Sequence, residues 1–224
     1  LPEQSYSWKV TAFDVFGYST RSGTTNVLNV DSTGPRGLTL TGQTPIESTG
    51  WTCNDRSVSV TWSTATDGGV PAVGLATTPY QVFVDGVVDG EPTAATSMSL
   101  NGLADGQHTW TVRASDKLGN ESYATANPGV GSFGIDCIPP AAPSLDSPVS
   151  GAILSRIPVE FVWNPVPEAV TDTSSGICSY ILTFDDSSQA TVGLETSVDW
   201  NASIEDVELP WKVAAVDCAG NVGA

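Results

Sequence analysis

Residues 6–17 read Tyr6-Ser7-Trp8-Lys9-Val10-Thr11-Ala12-Phe13-Asp14-Val15-Phe16-Gly17, a near-alternation of apolar and polar side chains that runs into an Asp and a Gly. The stretch returns as His108-Thr109-Trp110-Thr111-Val112-Arg113-Ala114-Ser115-Asp116-Lys117-Leu118-Gly119-Asn120. It returns again as Leu209-Pro210-Trp211-Lys212-Val213-Ala214-Ala215-Val216-Asp217-Cys218-Ala219-Gly220-Asn221. The tryptophans stand 102 and 101 residues apart, and in every copy the Asp follows six positions after the Trp and the Gly nine after. Offsets held in three copies mark an internal repeat, and alternation ending in a turn signal marks a half-buried strand.

Other landmarks keep the same period. Trp62, closing Val58-Ser59-Val60-Thr61-Trp62, matches Trp163, closing Val159-Glu160-Phe161-Val162-Trp163; Tyr80 and Tyr180 each open a further alternating segment. Gly, Pro, Asp and Ser bound these segments, and no window sustains a helical period. A repeat of about 100 residues with turn signals every 8 to 12 predicts an all-β, seven-stranded sandwich in tandem copies.

Composition narrows the classes. The chain has 224 residues, which by length alone allows one or two domains. Asp and Glu number 25 against 8 Lys and Arg, for a net charge of −17, so the surface repels phosphate backbones and attracts cations; nucleic acid is excluded as a partner class. With 40% hydrophobic residues, including seven Trp, six Phe and five Tyr, the chain has ample core material and folds. No stretch approaches the roughly 20 apolar residues that cross a bilayer. The opening Leu1-Pro2-Glu3-Gln4-Ser5 has neither a basic nor an apolar signal region, so a secretion signal is expected upstream or already removed.

The Trp on an early strand, the Tyr opening the third, and the Trp-x-Val-x-Ala-x-Asp-x-x-Gly run near the end resemble tandem fibronectin type III-like and bacterial immunoglobulin-like surface-protein repeats. The stretches Val30-Asp31-Ser32-Thr33-Gly34-Pro35 and Ile135-Asp136-Cys137-Ile138-Pro139-Pro140 look like the junctions of such arrays. The resemblance spans essentially the whole chain and implies immunoglobulin-like sandwiches in an extracellular setting. Laid on that topology, residues 1–34 supply strands F and G of a first sandwich, 35–138 a complete one, and 139–224 strands A to F of a third. This expectation makes the chain a window on a longer array, or a set of sandwiches completed by strand exchange with a neighbouring copy.

On the same topology Cys53 precedes strand B and Cys137 ends strand G, at one pole. Cys178 opens strand C and Cys218 lies in the F–G turn, at the other pole. Two intradomain disulfides follow, as suits an extracellular chain. Zinc is disfavoured, since no Cys-x-x-Cys occurs and His108 stands alone. Asn120-Glu121-Ser122 and Asn201-Ala202-Ser203 fit the glycosylation sequon, although Asn120 also suits the F–G turn itself.

No catalytic constellation stands out. His108 occupies the repeat position of Tyr6 and reads as a structural substitute at the E–F corner. The carboxylates lack a paired arrangement, and Gly68-Gly69 and Gly129-Val130-Gly131 lack the Lys-Ser/Thr of a phosphate loop. Asp31 and Asp136 at the junctions, Asp14, Asp116 and Asp217 at the ends of strand F, and Asp67 and Asp172 in the B–C loops admit two readings. They are ligands of a stiffening structural Ca²⁺, or they cap turns through their own backbone. Trp8, Trp62, Trp110, Trp163 and Trp211 read as core; Trp51 and Trp200, without repeat equivalents, are either partly buried or exposed for sugar stacking or subunit contact.

The sequence therefore favours a non-enzymatic extracellular structural segment, a cell-surface rod or filament whose partners are neighbouring domains or copies of the same chain. Short Pro-containing joints favour stiffness. The alternative is an adhesive or carbohydrate-binding array of a larger secreted protein, such as a polysaccharide hydrolase, with surface glycans as partners.

Overall fold

The computed structural model describes residues 1–153, 158–167, 175–185, 188–201 and 209–223. They fall into two compact units. One comprises Leu1–Gln43, Val60–Met98 and Thr109–Gly131, the other Thr44–Ser59, Ser99–His108 and Ser132–Ala224.

Residues 1–30 form a long, interrupted hairpin. Strands β1 (Gln4–Trp8) and β2 (Thr11–Phe13) run out and β3 (Ser19–Arg21) and β4 (Asn26–Val30) return, with Gln4 opposite Val30, Trp8 opposite Asn26 and Phe13 opposite Ser19. The chain turns at Gly17, whose φ of +89° a residue with a Cβ rarely adopts.

Nine strands follow: β5 (Leu40–Thr44), β6 (Trp51–Thr52), β7 (Val58–Trp62), β8 (Leu75–Val84), β9 (Val87–Thr93), β10 (Ser97–Leu100), β11 (Gly106–Asp116), β12 (Glu121–Tyr123) and β13 (Ser132–Ile135). They pair as a three-stranded sheet, β10-β7-β5, and a second sheet in the order β6-β13-β11-β8-β9 with β12 also on β11. In strand letters these are E-B-A and G-F-C-C′. Alternation fixes the inward faces. Along β7, Val58, Val60 and Trp62 are buried, and along β11 so are His108, Trp110, Val112, Ala114 and Asp116.

The remaining strands are β14 (Leu145–Ser147), β15 (Val159–Trp163), β16 (Ile177–Phe184), β17 (Gln189–Val192), β18 (Ser197–Trp200) and β19 (Trp211–Asp217). Their sheets, β14-β15-β18 and β17-β16-β19, repeat A-B-E and C′-C-F. The core between them is Phe161, Trp163, Val166, Tyr180, Leu182, Phe184, Val213 and Ala215. The fold is all-β, of fibronectin type III-like sandwiches in tandem.

The repeat holds at atomic detail. Trp62 meets Tyr80 edge-on with ring centroids 5.9 Å apart, and Trp163 meets Tyr180 at 5.7 Å. Each tyrosine hydroxyl then accepts a backbone N–H from the loop after the Trp strand: Ala65 at 2.9 Å in one case, Val166 at 3.1 Å in the other.

One expectation fails. Trp8 is 50% exposed, whereas its repeat equivalent Trp110 is 3% exposed. Among the described residues the 1–30 hairpin pairs only with itself, so the side of β1 that corresponds to the buried side of β11 has no sheet across from it.

Candidate functional site

The recurrent Asp at the end of strand F folds the turn that follows. Asp116 Oδ1 accepts the N–H groups of Leu118 (2.8 Å) and Asn120 (2.9 Å). Asp217 Oδ1 does the same for Ala219 (2.9 Å) and Asn221 (2.8 Å), and Asp14 Oδ1 for Phe16 and Tyr18 (both 2.9 Å). This is the cap that the Asp-x-x-Gly spacing suits: the carboxylate satisfies donors two and four residues on, and the Gly takes the positive φ.

In two copies the turn also grips the preceding junction. The Asn120 amide donates from Nδ2 to Asp116 Oδ2 (2.8 Å) and to the backbone carbonyl of Asp31 (3.3 Å). The Asn221 amide donates to Asp217 Oδ2 (2.7 Å) and to the carbonyl of Asp136 (2.8 Å). The first copy of the turn has Tyr18 where these have Asn. One amide thus ties the chain entering a sandwich to the F–G turn of that sandwich.

The junction carboxylates point into the same places. Asp31 and Asp116 are buried and lie with the partly buried Asp67, one carboxylate oxygen from each within 4.8 Å of the others. Asp31 Oδ1 accepts Thr33 N–H at 3.1 Å, while Oδ2 is buried without a hydrogen-bond partner among the described residues. The B–C loop reaches them through Gly69: a Cβ there would stand 2.2 Å from Asp31 Oδ1. Asp67 in turn accepts N–H groups of Gly69 (2.9 Å) and Gly74. The Gly69 N–H above all, with the Gly74 and Val73 amides and the Lys117 charge, holds the Asp67 carboxyl below its ordinary value against the effect of burial.

At the second junction Asp136 and Asp217 are both buried. Asp136 Oδ1 accepts Ile138 N–H (3.1 Å), and Oδ2 accepts both the N–H (3.1 Å) and the hydroxyl of Ser175. Burial pushes the Asp217 carboxyl up, the charge of Asp136 adding to it, against hydrogen bonds from Asn221 and Ala219. Asp172 lies outside the described residues. The candidate aspartates read from the sequence are therefore distributed, among the described residues, over three places: Asp31 and Asp116 with Asp67, Asp136 with Asp217, and Asp14 in its exposed turn.

Cys53 is bonded to Cys137 (Cα–Cα 4.8 Å) and Cys178 to Cys218 (5.0 Å). The first bond sits beside an ion pair, Arg56–Asp105 at 2.7 Å, and Asp105 also accepts Cys137 N–H at 2.9 Å. The Arg56 hydrogen bond, with that of Cys137, lowers the Asp105 carboxyl. His108 Nε2 lies 2.9 Å from the carbonyl of Ala104, four residues upstream, and its ring packs on Phe133. Tyr6 makes the equivalent contact with the carbonyl of Pro2 at 2.8 Å.

The Asn120 amide nitrogen that a glycan would take is engaged in the junction. Asn201 is exposed, but Ser203 of its sequon lies outside the described residues. Trp51 and Trp200 are both partly buried; Trp51 covers Gly134, where a Cβ would stand 2.2 Å from the indole, and Trp200 packs on Phe184.

Sequence reasoning missed Ser175, whose hydroxyl carries no spacing signal. It also missed Glu3, which accepts from Thr33 and Ser32 on one oxygen and from Val70 N–H (2.8 Å) on the other. The Thr33 hydroxyl, chiefly, lowers the Glu3 carboxyl.

No family model matches the chain. Exoglucanase B of Cellulomonas fimi is 29% identical over 228 residues, a match that takes in 98% of this chain and 19% of that protein. The chain therefore spans about a fifth of the length of that curated relative. Similar solved structures include the fibronectin(III)-like modules of Clostridium thermocellum CbhA (12% identity, TM-score 0.49, 84% of this chain and 89% of that one). The FN1–FN3 domains of chicken CNTN1 (14%, 0.45, 98% and 72%) and a two-domain fibronectin type III segment of chicken tenascin (15%, 0.30, 86% and 95%) are others. At these levels the fold assignment rests on the strand pairing itself.

Proposed function

We propose that the chain is a non-catalytic, extracellular spacer: a tandem β-sandwich segment, divided at residues 34 and 138, that holds other modules of a larger secreted protein at set positions. The observation that carries this reading is the junction made twice over, in which Asn120 and Asn221 tie Asp31 and Asp136 to the F–G turns of the sandwiches that follow. A joint hydrogen-bonded to its neighbour bends less than a free linker. Two disulfides suit an oxidising compartment. The match to a part of exoglucanase B supports a polysaccharide-degrading parent whose catalytic domain lies elsewhere.

A second reading, assembly into a filament by contacts between copies, draws on the exposed apolar side chains Trp8, Val10, Phe13 and Leu28 of the hairpin. One set of measurements separates the two: the chain is tested for hydrolysis of and retention by cellulose and xylan, and its mass in solution is followed with concentration. The spacer reading expects no hydrolysis, no retention and a constant monomer mass. Retention would favour a glycan-binding array, and mass growth a filament.

A further inference from the structure

Three carboxylates brought together repel one another, and burying them without a counter-charge is costly. Lys117 supplies charge at Asp67, but Asp31 and Asp116 are in no ion pair among the described residues. Asp31 is only 7% exposed and its Oδ2 has no donor among the described residues, in a carboxylate that has an oxygen within 4.8 Å of oxygens of Asp67 and Asp116. A fold that buries such a group ordinarily satisfies it.

The second junction shows what satisfaction looks like. There the corresponding oxygen, Asp136 Oδ2, takes both donors of Ser175. At the first junction the described B–C loop brings Asp67 and Gly69 to Asp31, a third carboxylate and a residue without a side chain.

We propose that Asp31, Asp67 and Asp116 form a calcium site. Hard oxygen ligands select a hard cation, and the spacing selects its size. Oxygens facing each other across a calcium ion at ~2.4 Å stand up to ~4.8 Å apart, whereas magnesium at ~2.1 Å would draw them to ~4.2 Å. The three oxygens all lie within 4.8 Å of one another, a spread that a calcium ion can span. Backbone carbonyls and water complete the coordination. The ion bridges the junction, the B–C loop and the end of strand F, so calcium stiffens the place that the Asn120 amide already ties. The site stands apart from the spacer reading: a chain that binds calcium and is also retained by polysaccharide keeps the first and loses the second.

The test is calorimetric titration of the chelator-stripped chain with calcium chloride, with thermal unfolding in parallel. Calcium binding at this site is expected, with a melting temperature that rises as calcium is added. Asp31→Asn and Asp67→Asn should each weaken binding by at least about tenfold, as fewer ligand charges do, and Asp136→Asn should leave it unchanged. Far-UV spectra without calcium report whether each variant has folded. Asp67→Asn, on the partly exposed loop, decides the matter if Asp31→Asn does not fold. No binding by the native chain up to roughly millimolar calcium overturns the proposal. So does a preference for magnesium, undiminished binding in the folded variants of the first junction, or loss of binding in a folded Asp136→Asn.

Discussion

The side-chain amide of Asn221 donates to the backbone carbonyl of Asp136 at 2.8 Å, and the same nitrogen holds the Asp217 carboxylate at 2.7 Å. Asn120 repeats the arrangement with Asp31 and Asp116. Truncating either amide leaves a buried carboxylate oxygen and a carbonyl short of a donor, so Asn120→Ala and Asn221→Ala should each cost about 1–3 kcal/mol. Urea unfolding checks this; a change within a few tenths of a kcal/mol would show the amide to be incidental.

Tyr80 and Tyr180 should behave as a matched pair. Removing either hydroxyl strands a buried backbone N–H, at Ala65 or Val166, so each change to Phe should cost about 1–3 kcal/mol with the ring packing kept. Equal costs in single variants, measured by chemical unfolding, are expected from equal geometry.

The titrating groups pull in opposite directions. Asp67 is depressed from an ordinary 3.8, so its contribution is present above that value and lost as pH falls through its lower folded value; Glu3 and Asp105 act in the same sense. Asp217 is raised from 3.8, so its contribution is present below that value and lost as pH rises through its higher folded value. In calcium-free buffer, the stability advantage of the native chain over Asp67→Asn should therefore grow from pH 3 towards neutrality. Its advantage over Asp217→Asn should shrink over the same range. Parallel curves would contradict the assignments.

Reduction removes cross-links that close stretches of 84 and 40 residues. On the chain-entropy account each loss costs roughly 3 to 5 kcal/mol. Thermal scans with and without a reductant, and of the paired Ser variants, should show a lowered melting temperature for each.

Much of the fold was legible because the repeat carries its own physics. A Trp, a Val and an Asp at even spacing fix the inward face of β11 and β19, and Asp with Gly three later fixes the turn. His108 was legible by position, since it takes the place of Tyr6 and bonds the carbonyl four residues upstream as Tyr6 does. The two-residue β6, parallel to β13, was not, because two residues have no period. Trp8 misled because periodicity tells which face a side chain lies on, not whether a sheet stands opposite. At the candidate site, composition pointed to Asp31 and Asp116 but also to Asp14, which faces solvent. What sorts them is approach in space: Gly69 lying against the Asp31 carboxylate, and Ser175 reaching Asp136, 39 residues earlier in the chain.

The chain entering a sandwich is held against it by the junction amide. Nitroxide labels at Ser19, in β3, and Glu91, in β9, both exposed, report on that joint through the distance distribution between them. One narrow distance is expected in the native chain, broadened in Asn120→Ala. A broad distribution in the native chain, indistinguishable from that of the variant, would contradict it.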